Sequence, residues 1–241
     1  GHVRVYQYSG SSWLQMGSDI DGDNSGDGLG MHVSLNRVGD RVAVAAGHSS
    51  SPFNGYVKVL EYVSGSWILM GGAMPTSGYR GGHTVASLDN SGTRVAINWY
   101  SSSGPVGSVK VYSFDNSASS WAILGDQSNM HGGYAFPHDI QLNAAGDALV
   151  VCGSDSATDT TDTYAKIFSL ESFVDGGLTP TTSPTLYPTL SPNLSPSTNS
   201  EDNSSWVQEG ATVYSKKTSE IYHAVSINDD GTIFAVGASE N

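Results

Sequence analysis

Four carboxylates lie close together in a loop near the start of the sequence. Asp19, Asp21, Asp23 and Asp27 are interspersed with Gly, Asn and Ser residues. Closely spaced carboxylate oxygens on a flexible backbone are the ligands that Ca²⁺ takes in proteins. The loop is therefore a candidate calcium site, the one cofactor that the sequence suggests. A solvated acidic turn without metal is the alternative.

Four of the seven histidines each come just before an apolar run: His32, His83, His138 and His223. If those runs are the innermost strands of a ring, the imidazoles would line a central channel and could bind a metal ion or an anion. Their distance from the aligned apolar residue varies along the chain, so the four do not all share one face. A hydrogen-bonded interior histidine is the alternative.

Charge and composition exclude several classes of partner. The chain has 10 Lys and Arg residues against 23 Asp and Glu, a net charge of −13, which argues against binding to nucleic acid or to an anionic membrane surface. No apolar run reaches the roughly 20 residues of a membrane-spanning helix. The single cysteine, Cys152, excludes an internal disulfide. Four basic residues share one alternating pattern, which suits cross-strand charge pairing or, alternatively, a polyanion groove: Arg4, Lys58, Lys110 and Lys166.

A proline-rich tract occupies residues 173–204. Proline recurs at every fourth position from Pro180 to Pro196, which forbids helix and sheet and favours an extended polyproline II segment. Both N-glycosylation sequons of the chain, at Asn193 and Asn203, lie here. Regular proline among hydroxyl residues also predicts O-linked or hydroxyproline-linked sugar, with these candidate positions: Thr181, Ser183, Pro184, Thr185, Pro188, Thr189, Ser191, Pro192 and Ser195. An unmodified flexible spacer is the alternative.

The elements that position these residues come from an internal repeat. The pattern Ser-Trp-x-x-x-Gly occurs four times, at Trp13, Trp67, Trp121 and Trp206, with intervals of 54, 54 and 85 residues. A second marker, a glycine that ends a tight turn, gives intervals of 53, 54 and 85: Gly39, Gly92, Gly146 and Gly231. The long interval is one repeat plus the proline-rich insertion.

Each repeat contains four short runs of strand-forming residues. Four strands in about 50 residues, repeated, are typical of a β-propeller blade. No segment has the sustained 3.6-residue period of a helix. The sequence therefore predicts an all-β, propeller-like fold of four four-stranded blades of about 54 residues, with one proline-rich insertion.

The two ends of the sequence complement each other. The last repeat contains only its first and second strands, whereas the sequence starts with a third and a fourth strand. We therefore expect the blades to be permuted by half a blade, with the strand from Val3 to Tyr8 beside Phe234–Ala238 in one shared blade. The residues of this joint are Val3, Val5, Tyr6, Tyr8, Phe234 and Val236. We expect these two strands to pair with the same residue offset as Val95 with Val109. We also expect them to belong to adjacent subunits in preference to one chain.

The segment Gly26–Gly30, followed by Val33-Ser34-Leu35 and Arg41-Val42-Ala43-Val44, resembles the FG-GAP repeat of integrin-α-type propellers, with Leu29 in the place of the Phe. The aspartate loop is similar to the calcium loop of that family, except that Asn24 stands where the family has Gly. The Pro/Thr/Ser spacer resembles those of large diatom-like algal surface proteins. The resemblance implies a propeller in an extracellular, cell-surface setting.

These observations divide the chain into propeller blades at 1–172, a glycosylated spacer at 173–204 and a final half-blade at 205–241. Unpaired half-blades must be covered, either within the chain or by a neighbour. We expect a non-enzymatic structural glycoprotein that assembles with itself into fibrils or a surface layer. A closed monomeric propeller that binds glycan or protein is the alternative, and a glycan hydrolase or lyase is a third possibility.

Overall fold

A computed structural model describes residues 1–47, 54–77, 84–100, 107–125, 136–154, 163–172, 204–214 and 220–240. Every regular element in these residues is a β-strand, which confirms the all-β prediction. No helix that could cross a membrane occurs among them.

The chain starts with four short strands, β1 (His2–Val3), β2 (Tyr6–Tyr8), β3 (Trp13–Gln15) and β4 (Ile20–Asp21). Strand β1 pairs antiparallel with β4, and β2 pairs with β3. By repeat position, β1 and β2 correspond to the third strand of a unit, and β3 and β4 correspond to its fourth strand.

Three four-strand antiparallel meanders follow in chain order. The first contains β5 (Leu29–Leu35), β6 (Arg41–Ala46), β7 (Asn54–Val63) and β8 (Ser66–Leu69), with β9 (Met74–Ser77) also paired to β7. The second contains β10 (Ala86–Leu88), β11 (Arg94–Tyr100), β12 (Gly107–Asp115) and β13 (Ser120–Ile123). The third contains β14 (Phe136–Leu142), β15 (Ala148–Ser154), β16 (Thr163–Ser172) and β17 (Ser204–Tyr214).

The described chain closes with a two-strand sheet of β18 (Glu220–Ile227) and β19 (Phe234–Glu240). By repeat position these are a first and a second strand. We name the sheets after the predicted repeat: the outer half-blade is β1–β4, each four-strand meander is a complete blade, and the inner half-blade is β18 with β19. Successive four-strand sheets of this kind are the blades of propeller-like folds.

Apolar side chains fill the space between successive sheets. Alternation along each second strand explains this, because neighbouring residues face opposite sides of the sheet. In β6, Val42 packs with Val3 and Val5 of the outer half-blade, while Ala43 packs with Leu88 of the second complete blade. Burial of this kind, about 25 cal/mol per Å² of apolar surface, is the main stabilisation between blades.

The glycine-ended turns form as the sequence predicts. All four marker glycines have positive φ, between 69° and 81°. In the first blade the side-chain oxygen of Asn36 accepts hydrogen bonds from the N–H groups of Gly39 (2.9 Å) and Arg41 (3.0 Å). Glycine ends the turn because a residue with a Cβ is strained at this φ.

The predicted offset between second and third strands is wrong by three residues. Val95 pairs with Tyr112, and Val109 pairs with Asn98. The register of an antiparallel pair depends on the length and geometry of the connecting loop, which the repeat spacing does not specify. Two short strands that the repeat pattern does not predict, β4 and β9, continue the fourth strand beyond Gly17 and Gly71.

Candidate functional site: two open half-blades

The outer half-blade lies at the start of the sheet order and presents an apolar surface. Val3 and Val5 are buried against the first complete blade, whereas Tyr6 and Tyr8 are 47% and 56% exposed. Trp13, on the paired strand, is 68% exposed and its ring lies 5.3 Å from that of Tyr8. In the described residues, β1 and β2 pair only with fourth-strand segments, so the edge that would meet a second strand is unpaired.

The inner half-blade lies at the other end. Phe234 and Val236 pack on Cys152 and Ala165 of the third complete blade. Ala235, which faces away from that blade, is exposed. The equivalent residues of the three complete blades, Ala43, Ala96 and Val150, are fully buried. Ala235 is exposed because, in the described residues, no further sheet packs on the face of β19 that points away from the third blade.

The two half-blades do not pair with each other in the part of the chain that the structure describes. There, strand β19 pairs only with β18, and Val3 pairs with Ile20 on its fourth-strand side. That pairing matches Val57 with Met74 one repeat later. The open edge of Val3 is therefore the one that the shared-blade hypothesis requires.

The acidic loop is held by protein groups. Asp19 accepts two hydrogen bonds from the guanidinium of Arg4, at 2.9 and 2.7 Å. Asp23 forms an ion pair with Lys58, and Asp27 accepts a hydrogen bond from the hydroxyl of Tyr56.

The described residues contain no group of three or more His, Cys, Asp or Glu side chains that could hold a metal ion. Asp19, Asp23 and Asp27 thus have separate partners, and Asp21 does not join them in a metal-binding cluster. The structure does not assemble the calcium cluster that the sequence suggested.

These contacts change the proton affinity of the loop. The guanidinium of Arg4 lowers the pKa of Asp19 to about 2. Burial raises the pKa of Asp27, but hydrogen bonds from Tyr56 and from backbone N–H groups outweigh it, and the pKa lies below its usual range. Burial and the hydrogen bond to Asp27 raise the pKa of Tyr56 to about 12. Asp19 and Asp27 are therefore ionised, and Tyr56 is neutral, at neutral pH.

The histidines do not form a visible ring in the described residues. Nδ1 of His32 lies 3.5 Å from the backbone N–H of Ala86 in the next blade, which fits the interior-histidine alternative. His138 lies in β14 and His223 in β18, and the side chain of His223 is not described. His83 lies outside the described residues.

The basic residues of the third strands have local partners. Besides the ion pairs of Arg4 and Lys58, the ammonium groups of Lys58 and Lys166 lie over the rings of Tyr56 and Tyr164, at 5.0 and 4.7 Å from their centres. These contacts favour charge pairing over a polyanion groove.

The proline-rich tract, with its predicted glycosylation positions, lies outside the described residues apart from Ser204. Strand β16 ends at Ser172 and β17 begins at Ser204, and these two residues are paired opposite each other. The tract therefore connects the third and fourth strands of the third blade, as the repeat interval predicts. It leaves and re-enters the sheet at one hairpin end.

Four further residues belong to the open surfaces, and sequence reasoning did not assign them there. Gly210 and Ile233 lie at the C-terminal end of the sheet order, on the face that we call the C-terminal surface. Leu35 and Gly39 lie at the N-terminal end, on the face that we call the N-terminal surface. Leu35 and Ile233 are 51% and 68% exposed. The repeat pattern marked Gly39 and Gly210, but spacing does not say which glycine faces another blade.

No family model and no curated protein matches this chain. Among solved structures, it is similar to a candidate 6-phosphogluconolactonase from Bacteroides uniformis, with a TM-score of 0.51 and 11% identity. That match covers 97% of this chain and 56% of the other, so the chain spans little more than half of that neighbour's length. At this identity the likeness concerns the fold alone.

Two other solved structures are similar at lower scores. TolB from Acinetobacter baumannii matches with a TM-score of 0.41 and 15% identity, over 70% of this chain and 38% of the other. The β-propeller domain of the trilobed protease from Pyrococcus furiosus matches with a TM-score of 0.40 and 8% identity, over 82% and 59%. The fold of this chain is all-β with propeller domains among its structural neighbours, and its similarity to FG-GAP repeats stays a prediction.

Proposed function

We propose that this protein is a non-enzymatic, extracellular structural glycoprotein that assembles head to tail through shared half-blades into fibrils or a surface layer. One observation carries the proposal: an outer half-blade lies at one end of the sheet order and an inner half-blade at the other. Joined between two copies, they would make a fourth complete blade. The four-unit, half-blade-permuted architecture is part of this proposal.

The physical argument is the cost of leaving both edges bare. A strand edge exposes a row of unpaired N–H and C=O groups and is a template for pairing with another chain. Here the edge of the outer half-blade lies beside large exposed apolar side chains, Tyr6, Tyr8 and Trp13. The outer half-blade of one copy would cover the inner half-blade of the next. Such a contact is heterologous and repeats from copy to copy.

The proline-rich tract supports the extracellular part of the proposal. Its hydroxyl-rich sequence has no route to a packed core, and it leaves the propeller at one hairpin, between Ser172 and Ser204. Mass spectrometry of the 173–204 peptide from native material should show glycan, and an unmodified peptide would remove the glycoprotein part.

Sedimentation and electron microscopy of the purified 241-residue chain test the assembly. We expect a mass that rises with concentration and particles larger than one copy. A monomer at every concentration would refute the proposal and leave two explanations, a ring closed within the chain or edges covered by other repeats of a longer polypeptide.

A second candidate function is a glycan-binding adhesion module. The observation that favours it is a cavity of about 270 Å³ beside the acidic loop, lined in part by Asp21, Lys58 and Trp67. A concave site with an aromatic wall and a few polar groups is typical of small-ligand binding. Binding to a glycan panel by the parent protein, weakened in Asp21→Asn and kept in a remote surface variant such as Asp230→Asn, would favour this function.

A further inference from the structure

The junctions between blades share a specific contact at the repeated tryptophan. At three successive junctions its indole N–H donates to the backbone carbonyl three residues after the preceding Trp: Trp67 to Met16 (2.8 Å), Trp121 to Met70 (2.8 Å) and Trp206 to Leu124 (3.0 Å). We call this carbonyl, with the glycine that follows it, the Trp seat.

The glycine is a functional part of the Trp seat. Gly17 and Gly71 have φ of 69° and 62°. A Cβ added to them would lie 3.2 Å from Cδ1 of Trp67 and 3.1 Å from Cδ1 of Trp121. Such a Cβ would crowd the ring, so glycine is needed both for the backbone angle and for the close approach.

Among the described residues, one Trp seat holds no tryptophan, and one tryptophan, Trp13, lies in no Trp seat. Glu209 and Gly210 follow Trp206 at the seat positions, and Gly210 has the same backbone angle, with φ of 65°. No atom lies within 4 Å of a Cβ added to Gly210. Trp13 is 68% exposed, whereas Trp206 is fully buried. The open seat is on the C-terminal surface and the open tryptophan is on the N-terminal surface.

A second contact repeats at the turn between first and second strands. A Cβ added to Gly92 would lie 2.6 Å from Cδ of Arg41, and one added to Gly231 would lie 2.6 Å from Cβ of Ala148. Each turn glycine therefore rests against the first residue of the preceding second strand. By repeat position, Gly39 should rest against Ile233. No atom lies within 4 Å of a Cβ added to Gly39, and Ile233 is 68% exposed.

A third contact repeats between first strands. A side-chain oxygen accepts a hydrogen bond from a backbone N–H of the next blade, in the pairs Ser34 with Leu88 (3.0 Å), Ser87 with Leu142 (3.0 Å) and Gln141 with Ile227 (2.9 Å). At the open ends the corresponding pair is Ser226 with Leu35. Leu35 is 51% exposed, while Leu88, Leu142 and Ile227 are buried.

Resting on the proposed function, we propose that the N-terminal surface of one copy docks on the C-terminal surface of a second copy through these three contacts. Trp13 fills the seat at Glu209 and Gly210, Gly39 rests on Ile233, and Ser226 accepts from the N–H of Leu35. All three open pairs run in the same direction across the junction. They are spread from the first to the fourth strand, so one docking geometry must satisfy them together.

The register of the shared blade follows from the register within the first complete blade. Ala43 pairs with Val59 and Ala45 with Val57 in the first blade. By repeat position, Ala235 and Gly237 correspond to Ala43 and Ala45, and Val5 and Val3 correspond to Val59 and Val57. Ala235 of one copy therefore pairs with Val5 of the next, and Gly237 pairs with Val3. Ala235 then faces the first complete blade of the second copy, where Val33 and Leu35 are exposed.

Cysteine cross-linking tests the register and the occupant. Directly opposite residues in an antiparallel pair have Cα atoms about 4.5–5.5 Å apart, within disulfide range. Mixing a Val5→Cys chain with an Ala235→Cys chain should give a covalent dimer that neither chain gives alone. Burial raises the pKa of the Cys152 thiol to about 12, so this native cysteine should not compete.

The double variant Val5→Cys with Ala235→Cys separates the possible partners. A ladder of covalent oligomers supports a second copy, whereas a monomer cross-linked within itself overturns that part of the proposal. Assemblies that form without any cross-link would overturn the register and leave head-to-tail assembly standing. The absence of assemblies would refute the proposed function itself.

Point variants test the Trp seat without touching a buried core. Trp13→Ala should raise the concentration needed for assembly at least about tenfold, as for an interface hot spot. Leu14→Ala is the matched control, because Leu14 is exposed and its counterpart Ile68 remains 52% exposed at an internal junction. Equal effects of the two variants would overturn the seat.

Gly210→Asn tests the other side of the same contact. Asparagine tolerates positive φ, so the variant keeps the backbone and adds a side chain where Trp13 should lie. The control is Gly65→Asn, at φ of 88° with no atom within 4 Å of an added Cβ. We expect weakened assembly only for Gly210→Asn, and normal assembly of this variant would contradict the proposal.

Discussion

Two tryptophans at the same repeat position should differ sharply in what their removal costs the folded monomer. Trp206 is fully buried in a cluster with Val109, Val111 and Phe168, and its indole N–H donates to Leu124. Trp13 occupies the equivalent position of the outer half-blade and is 68% exposed. The perturbation is the substitution of each by alanine.

The expected magnitudes follow from burial. Truncation of a fully buried Trp costs about 3–5 kcal/mol, because a cavity replaces the ring. Loss of the indole donor at the Leu124 carbonyl is included in that figure and is worth about 1 kcal/mol. Trp13→Ala loses mainly the ring contact with Tyr8, about 0.5–1.5 kcal/mol. The difference between the two variants should therefore be at least about 1.5 kcal/mol.

Urea unfolding at a protein concentration below the onset of assembly measures both values, from the midpoint and the slope. Trp206→Phe is the intermediate control, since it keeps an aromatic ring and removes only the donor and part of the volume. If Trp206→Ala costs less than about 1 kcal/mol, or if the two alanine variants are equally destabilised, the assignment of seat and open surface is wrong.

Three further predictions concern the acidic loop and the cysteine. Tyr56→Phe removes the hydroxyl that donates to Asp27, so it should raise the pKa of that carboxyl in an NMR titration and destabilise the fold by about 1 kcal/mol; full recovery on adding Ca²⁺ would contradict a loop held by protein groups. Arg4 holds the pKa of Asp19 well below its ordinary value of 3.8, at about 2. The stabilisation is therefore present above about pH 4 and lost as the pH falls toward 2, and Arg4→Met should lower the melting temperature at neutral pH but not near pH 2. Cys152 is buried and the pKa of its thiol is raised to about 12, so Ellman's reagent should react with it only after unfolding, and rapid labelling of the native protein would contradict its burial.

The repeat was readable from the sequence because local rules fix it. A turn that ends in glycine at positive φ, as at Gly39, needs that residue type wherever it occurs. The spacing of Trp13, Trp67 and Trp121 shows one unit copied along the chain. The open surfaces could not be predicted in the same way. Trp13 and Trp206 have the same repeat position, but Trp13 is exposed because no blade packs on its side in the described residues.

The sequence by itself determined the four main strands of each repeat, their turns, the repeat length and the position of the proline-rich insertion, since each depends on neighbouring residues. Only the tertiary structure decided which carboxylates meet and which surfaces stay open. Asp19, Asp23 and Asp27 look like one ligand set in the sequence, but Arg4, Lys58 and Tyr56 approach them from other strands. The reason is physical: contacts across 15 to 35 residues depend on how sheets stack, and spacing along a chain does not encode that stacking.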